Sequence, residues 1–186
     1  MKPVKNKPSQ SSQAGATDIQ ARRKYARQDI EDGAVTEGYA ADRGAVIDML
    51  NKALATEIVC VLRYRRHYFM ARGIHSDPVR REFLAHSGEE LGHADMLAKR
   101  IVELGGEPNF SPDGLAARSH AEYVEGGTLE SMIKEDLIAE RVAIESYRSM
   151  IAGLAGRDPT TGRLIEAILA VEEEHAEDLA SMLAES

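Results

Sequence analysis

Glu57 and Glu140 constrain this chain more than any other residues. Each stands in a run that is apolar on nearly every side of a helix, ALATEIVCVL around the first and DLIAERVAI around the second. A carboxylate at such a position points into a core, and a lone ionised carboxylate there costs several kcal/mol. It must be protonated, ion-paired or bound to a cation. Any fold available to the chain has to bring compensating groups to both positions. A buried ion pair would satisfy either glutamate taken alone.

Four long helical patterns supply the frame. The first runs from about Asp42 to Arg72 and stops at Gly73. The second opens at Asp77-Pro78, an N-cap followed by proline in the first helical position, and ends at Gly105-Gly106. The third starts near Thr128 and ends between Gly153 and Gly156. The fourth opens at Asp158-Pro159 and runs to the C-terminus. Short connections make each consecutive pair an antiparallel hairpin. The link over residues 105–127 is long enough to cross the length of a bundle, and its segment SPDGLAARSHAEY is expected to carry a short helix. The fold class is therefore all-α, a four-helix bundle with one long crossover. Aromatics at 5% and the absence of Trp suit Leu/Ala/Ile/Val helix packing.

The two hairpins repeat one another. Glu57 is followed by Tyr64 and Glu140 by Tyr147, both seven residues on. EELGHADML and EEEHAEDLA both give Glu-x-x-His-Ala with Leu four residues past the histidine. Four matches in a consistent order point to an internal duplication. Glu90 with His93, and Glu172 with His175, share a helix face and can hold one cation together. One Glu-x-x-His pair is most often a surface pair; two of them facing two inward glutamates form the di-iron carboxylate pattern. The candidate ligands are Glu57, Glu90, His93, Glu140, Glu172 and His175. Spacing selects Glu90 over Glu89 and Glu172 over Glu173 and Glu174. Four carboxylates offset two divalent cations, and mixed oxygen and imidazole donors suit iron or manganese. Tyr64 is a candidate neighbour of the site, with ordinary core packing as the alternative, and the same choice applies more weakly to Tyr147. Cys60 reads as a small buried hydrophobe. His67, His75, His86 and His120 have no paired spacing and receive no role.

Charge divides the chain. Residues 1–28 carry seven cations and one acid, a balance of +6, which leaves −14 on the rest of a chain whose net charge is −8. We expect residues 1–38 to be a basic, largely flexible N-terminal arm, disordered through residue 17 with a short helix over 18–30, and residues 39–186 to be the bundle domain. A basic arm on an acidic body can contact DNA or another subunit, or simply be solvated. The single cysteine excludes an internal disulfide and a Cys-x-x-Cys metal knuckle. The N-terminal MKPVKNKPSQSSQAGA has no apolar core, and no stretch reaches the ~20 apolar residues of a membrane helix. A cytoplasmic location is expected.

The stretches LNKALATEIVCVLRY, EELGHADML, DLIAERVAIESYRSMI and ILAVEEEHAEDL resemble the bacterioferritin family, with their helices covering roughly Asp42 to Leu183. The resemblance implies that Glu57 and Glu140 are terminal ligands, that Glu90 and Glu172 bridge two irons, that His93 and His175 complete one ion each, and that Tyr64 lies beside them. Bacterioferritins bind haem through a methionine directly after the first bridging glutamate. Leu91 stands there, so haem is not expected. No fifth C-terminal helix is expected, because the sequence ends 11 residues after His175. That feature, the long crossover and the basic arm are similar to the Dps proteins. The resemblance implies a hollow dodecamer, with a 24-subunit cage as the alternative, that oxidises Fe(II) with H2O2 or O2 and stores Fe(III). A manganese catalase or peroxidase on the same bundle, and a DNA-protecting oligomer, are the rival expectations.

Overall fold

The structure is a computed structural model and describes residues 10–184. Among the described residues every regular element is helical: α1 (Gln10–Tyr25), a 3-10 turn (Ile30–Asp32), α2 (Arg43–Met70), α3 (Ser76–Glu103), α4 (Leu115–Arg118), α5 (Leu129–Leu154) and α6 (Pro159–Ala184). The chain divides into one unit up to Tyr39 and another from Ala40.

In the first unit, α1 begins at Gln10, earlier than the helix expected over residues 18–30; the expectation for residues 1–9 lies outside the described residues. Ala14, Ala16 and Ala21 favour helix, and a helix once nucleated adds residues at little cost. It also ends earlier than expected, at Tyr25, with Arg22, Arg23 and Lys24 in its last turn, where cations complement the helix dipole.

In the second unit, α2 packs antiparallel on α3, and α5 on α6, while α2 meets α5 and α3 meets α6. Caps fix the helix starts. Asp42 accepts a hydrogen bond from Ala45 N at 3.1 Å. Thr128 and Ser131 form a reciprocal capping box at the start of α5, and Asp158 accepts from Thr161 N at 3.0 Å at the start of α6. The start of α3 departs from expectation: the helix begins at Ser76, one residue before Asp77. Asp77 faces Arg80 at 3.8 Å, and the Ser76 hydroxyl donates to Gly73 O at 2.8 Å.

The core runs between the two hairpins. Leu50, Leu54, Phe83, Leu97, Ile101, Ile165 and Leu179 are fully buried, each contributing about 1.5–3 kcal/mol relative to exposure. At Gly106 an added Cβ would lie 2.8 Å from Ile47 Cγ2, so the end of α3 closes directly on α2.

The crossover from Leu104 to Thr128 carries only the single turn of α4. It is held by α2 side chains along its course. The Asn51 amide donates to Glu107 O (3.2 Å) and accepts from Asn109 N (2.7 Å). The Thr56 hydroxyl oxygen accepts from His120 N at 2.9 Å. Arg63 donates to Glu122 O at 2.9 Å, and His67 Nε2 lies 3.0 Å from Glu125 O. Arg63 and His67 share a second partner, Asp136 of α5, at 2.7 and 2.8 Å. All three side chains are buried. Thus two histidines without a sequence signature, His67 and His120, hold the strap, whereas His75 is exposed.

Candidate metal centre

The six residues singled out by spacing converge at mid-bundle and are all buried. They sort into two groups of four whose donor atoms lie within 4.8 Å of one another: Glu57, Glu90, His93 and Glu172, and Glu90, Glu140, Glu172 and His175. Glu90 and Glu172 belong to both. Glu90 turns Oε2 toward His93 Nδ1 (3.3 Å) and Oε1 toward His175 Nδ1 (3.5 Å). Glu172 turns Oε1 toward His93 Nδ1 (2.9 Å) and Oε2 toward His175 Nδ1 (3.8 Å). Each shared carboxylate thus offers one oxygen to each half, and Glu57 and Glu140 serve one half each.

The outer glutamates are each held from the opposite hairpin. The Tyr64 hydroxyl on α2 donates to Glu140 on α5, and the Tyr147 hydroxyl on α5 donates to Glu57 on α2. Tyr64 therefore bonds the glutamate across the bundle, not the one on its own helix, and Tyr147 is its equal. Burial, followed by the charge of the adjacent glutamate, keeps both phenols neutral, so both remain donors. Burial likewise pushes the Cys60 thiol up, and Cys60 sits in the core as a small apolar group.

Among the described residues, several of the remaining lone pairs have no partner. Glu57 Oε2, Glu90 Oε1, Glu140 Oε2, both oxygens of Glu172 and His175 Nδ1 are buried without a hydrogen-bond partner. Their distances to the imidazoles are short, but they lack hydrogen-bond alignment. Such orphaned acceptors are costly unless a cation fills the space between them. Without one, the site holds protons. Burial, then the charge of Glu90, pushes the Glu57 carboxyl up to about 8. Glu172 is pushed up by burial and by Glu90, Glu57 and Glu140. Burial works against the His93 imidazolium, but Glu57 and Glu90 outweigh it and lift its pKa to about 10. His175 rises to about 9 by the same balance, with Glu90 and Glu140 as its main partners. Carboxylates and imidazoles in these proportions fit two divalent cations.

Sequence reasoning passed over two neighbours. Glu89, set aside as a ligand, accepts from His175 Nε2 at 2.8 Å. When the imidazolium gives up one proton to a cation, that bond keeps the other on Nε2, so that Nδ1 is the nitrogen available as a ligand. His86 stacks on His175 with ring centroids 4.0 Å apart and places Nδ1 3.3 Å from the Tyr64 hydroxyl. Burial, then the charge of His175, depresses its pKa to about 4, so it is neutral. His86 lies one turn before Glu90 on α3, the only signal the sequence offered.

An antiparallel helical bundle with one glutamate on each of two helices and a Glu-x-x-His pair on each of the others defines the carboxylate-bridged class. A ferritin-like domain matches residues 47–186, and the chain belongs to that family. It is 31% identical over 142 residues to the nutrient stress-induced DNA-binding protein of a Synechococcus strain, covering 75% of this chain and 81% of that one. It is 29% identical over 140 residues to the bacterioferritin of Desulfovibrio desulfuricans, covering 74% of each. Among solved structures, the dodecameric thioferritin of Bacteroides fragilis, a bacterioferritin-related protein, superposes with a TM-score of 0.76 at 32% identity over 78% of this chain and 88% of that one. The Dps protein of Thermosynechococcus elongatus shares the fold, with a TM-score of 0.72 at 20% identity over 75% and 90% of the two chains. Among the described residues no helix is long and apolar enough to cross a membrane.

Proposed function

We propose that this protein is a ferroxidase that takes Fe(II) as substrate at Glu57, Glu90, His93, Glu140, Glu172 and His175, and retains the Fe(III) product in a homo-oligomeric cage. The observation that carries this reading is the set of buried, unpartnered oxygens split between two halves by Glu90 and Glu172. Two Fe(II) ions each give up one electron to one H2O2, which takes two protons and leaves as two waters; O2 is the alternative oxidant. Glu57 and Glu140 hold one ion each, and Glu90 and Glu172 keep the pair together. Tyr64 and Tyr147 fix the outer carboxylates by hydrogen bonds and exclude bulk water. The protons resident on Glu57, Glu172, His93 and His175 leave as the cations enter. Oxidation by peroxide would remove Fe(II) and a damaging oxidant together, a protective role in keeping with relatives named for DNA protection during starvation. The dodecameric thioferritin favours a 12-subunit cage over 24 subunits. In this reading the basic residues of the N-terminal arm supply a DNA contact, and the protein works in the cytoplasm.

An anaerobic Fe(II) titration of metal-free protein, followed by H2O2 or O2, tests the proposal. Rapid oxidation, with iron well above two per chain remaining soluble, is expected. Glu90→Ala, which removes a ligand common to both halves, should abolish the rapid phase; unchanged kinetics would reject the assignment. Sustained oxygen evolution from peroxide by manganese-loaded protein, without iron accumulation, would favour a catalase instead.

A further inference from the structure

Beyond His175 lies a second cluster of donors that the di-metal centre does not use. Glu82 and His86 are one helical turn apart on α3, and Asp178 faces them from α6, with one donor atom of each lying within 4.8 Å of the others. His86 is only 1% exposed, yet its Nε2 has no hydrogen-bond partner. It sits 3.4 Å from Glu82 Oε1 and 3.8 Å from Asp178 Oδ2. The other ring nitrogen explains the vacancy. The Tyr64 hydroxyl spends its hydrogen on Glu140, so at 3.3 Å its oxygen receives the hydrogen of His86 Nδ1. That tautomer leaves a bare lone pair on Nε2, aimed at two carboxylates that also carry only lone pairs. The buried, unpartnered Nε2 and the two carboxylates thus converge on one point, where a cation would be held by all three.

We propose that Glu82, His86 and Asp178 form an outer divalent-cation site, a station between solvent and the di-metal centre. Glu82 and Asp178 are 36% and 47% exposed at their side chains, so a hydrated ion can reach them. One imidazole and two carboxylates neutralise a single divalent ion and suit the borderline cations Fe(II), Co(II), Mn(II) and Zn(II). Glu89, half-exposed, completes a further donor group with His86 and His175. It thus links the outer site to the inner one, a transfer role that rests on the function proposed above.

The experiment uses the full-length, metal-free protein and Co(II) under argon, with bound metal measured after equilibrium dialysis. Wild type should hold one more Co(II) per chain than E82Q/D178N, whose exposed replacements leave the buried ligands intact. An identical stoichiometry in the two proteins would overturn the outer site. The number remaining in the variant tests the inner centre separately: two per chain supports it and none refutes it. For transfer, the initial rate of Fe(II) oxidation at sub-saturating iron should fall several-fold in E82Q/D178N. Equal rates, with the extra ion lost, would overturn that role. The same comparison with His86→Gln, whose fold is checked by circular dichroism, guards against an effect of surface charge alone.

Discussion

The two halves of the centre share their ligands but not their surroundings. Around His93 and Glu57 the counterparts of the polar neighbours are apolar or small. Val171 stands where Glu89 stands in the other hairpin, Ile168 where His86 stands, and Ala53 where Asp136 stands. Around His175 and Glu140 the ligands continue into a connected polar set: Glu89 on His175, His86 against Tyr64, and Arg63, Asp136 and His67 one turn further along. A duplicated hairpin thus keeps the groups that chemistry demands twice and diversifies those that it needs once. The His175 half continues toward solvent through the partly exposed carboxylates Glu89, Glu82 and Asp178.

Variants on the two sides can break that comparison. The largest effect should come from Asp136→Ala, which strands Arg63 and His67 as uncompensated buried groups. A loss of about 3–5 kcal/mol is expected, against near-neutral thermal melts for Ser146→Ala at the position matching Arg63. Next, Glu89→Gln should weaken the His175 half of the centre, by about 10- to 100-fold in metal affinity, leaving the Co(II) of the His93 half bound as tightly as before. Two equally weakened ions would mean that the halves are not separable. Smaller still, Tyr64→Phe and Tyr147→Phe each leave a buried carboxylate oxygen without its donor, at about 1–3 kcal/mol. Chemical denaturation should find Tyr64→Phe the costlier, since His86 loses its partner as well.

The pH dependence of the metal-free protein tests both halves together. Glu57, His93 and His175 have folded-state pKa values of about 8, 10 and 9, above their ordinary values. The folded state therefore binds more protons, and the stability these groups contribute is lost as pH rises. The melting temperature should fall between pH 6.5 and 9. Saturating divalent metal should reverse that slope, because the ligands must lose their protons to bind. A metal-free melting curve flat over this range would contradict the protonated cluster.

The convergence of the six buried residues was legible in the sequence because it obeys a local rule: residues three apart share a helix face, and a glutamate in an apolar run must face inward. Helix starts at Asp42, Thr128 and Asp158 were legible for the same reason, since capping is decided within four residues. What stayed hidden depends on which helices cross. Tyr64 lies seven residues from Glu57 yet bonds Glu140, and Asp136 meets Arg63 and His67 across 73 and 69 residues. No spacing pattern marks such pairs. The crossover was placed correctly, but its helix is a single turn; its polar groups bond α2 at some positions and one another, through Asn109, Ser111, Asp113 and Arg118, at others.

That strap has one more consequence, for the symmetry of the molecule. Two copies of a hairpin need only one connection, and a single connection can run past only one of them. Asn51, Thr56, Arg63 and His67 on α2 meet the passing chain at Glu107, Asn109, His120, Glu122 and Glu125. The matching positions on α5 are Lys134, Ala139, Ser146 and Met150, of which Lys134 and Ser146 bond residues of their own helix instead. Divergence between the copies thus follows from the topology of a joined pair. The pseudo-twofold survives at the six candidate ligand positions and is broken where α2 holds the crossover.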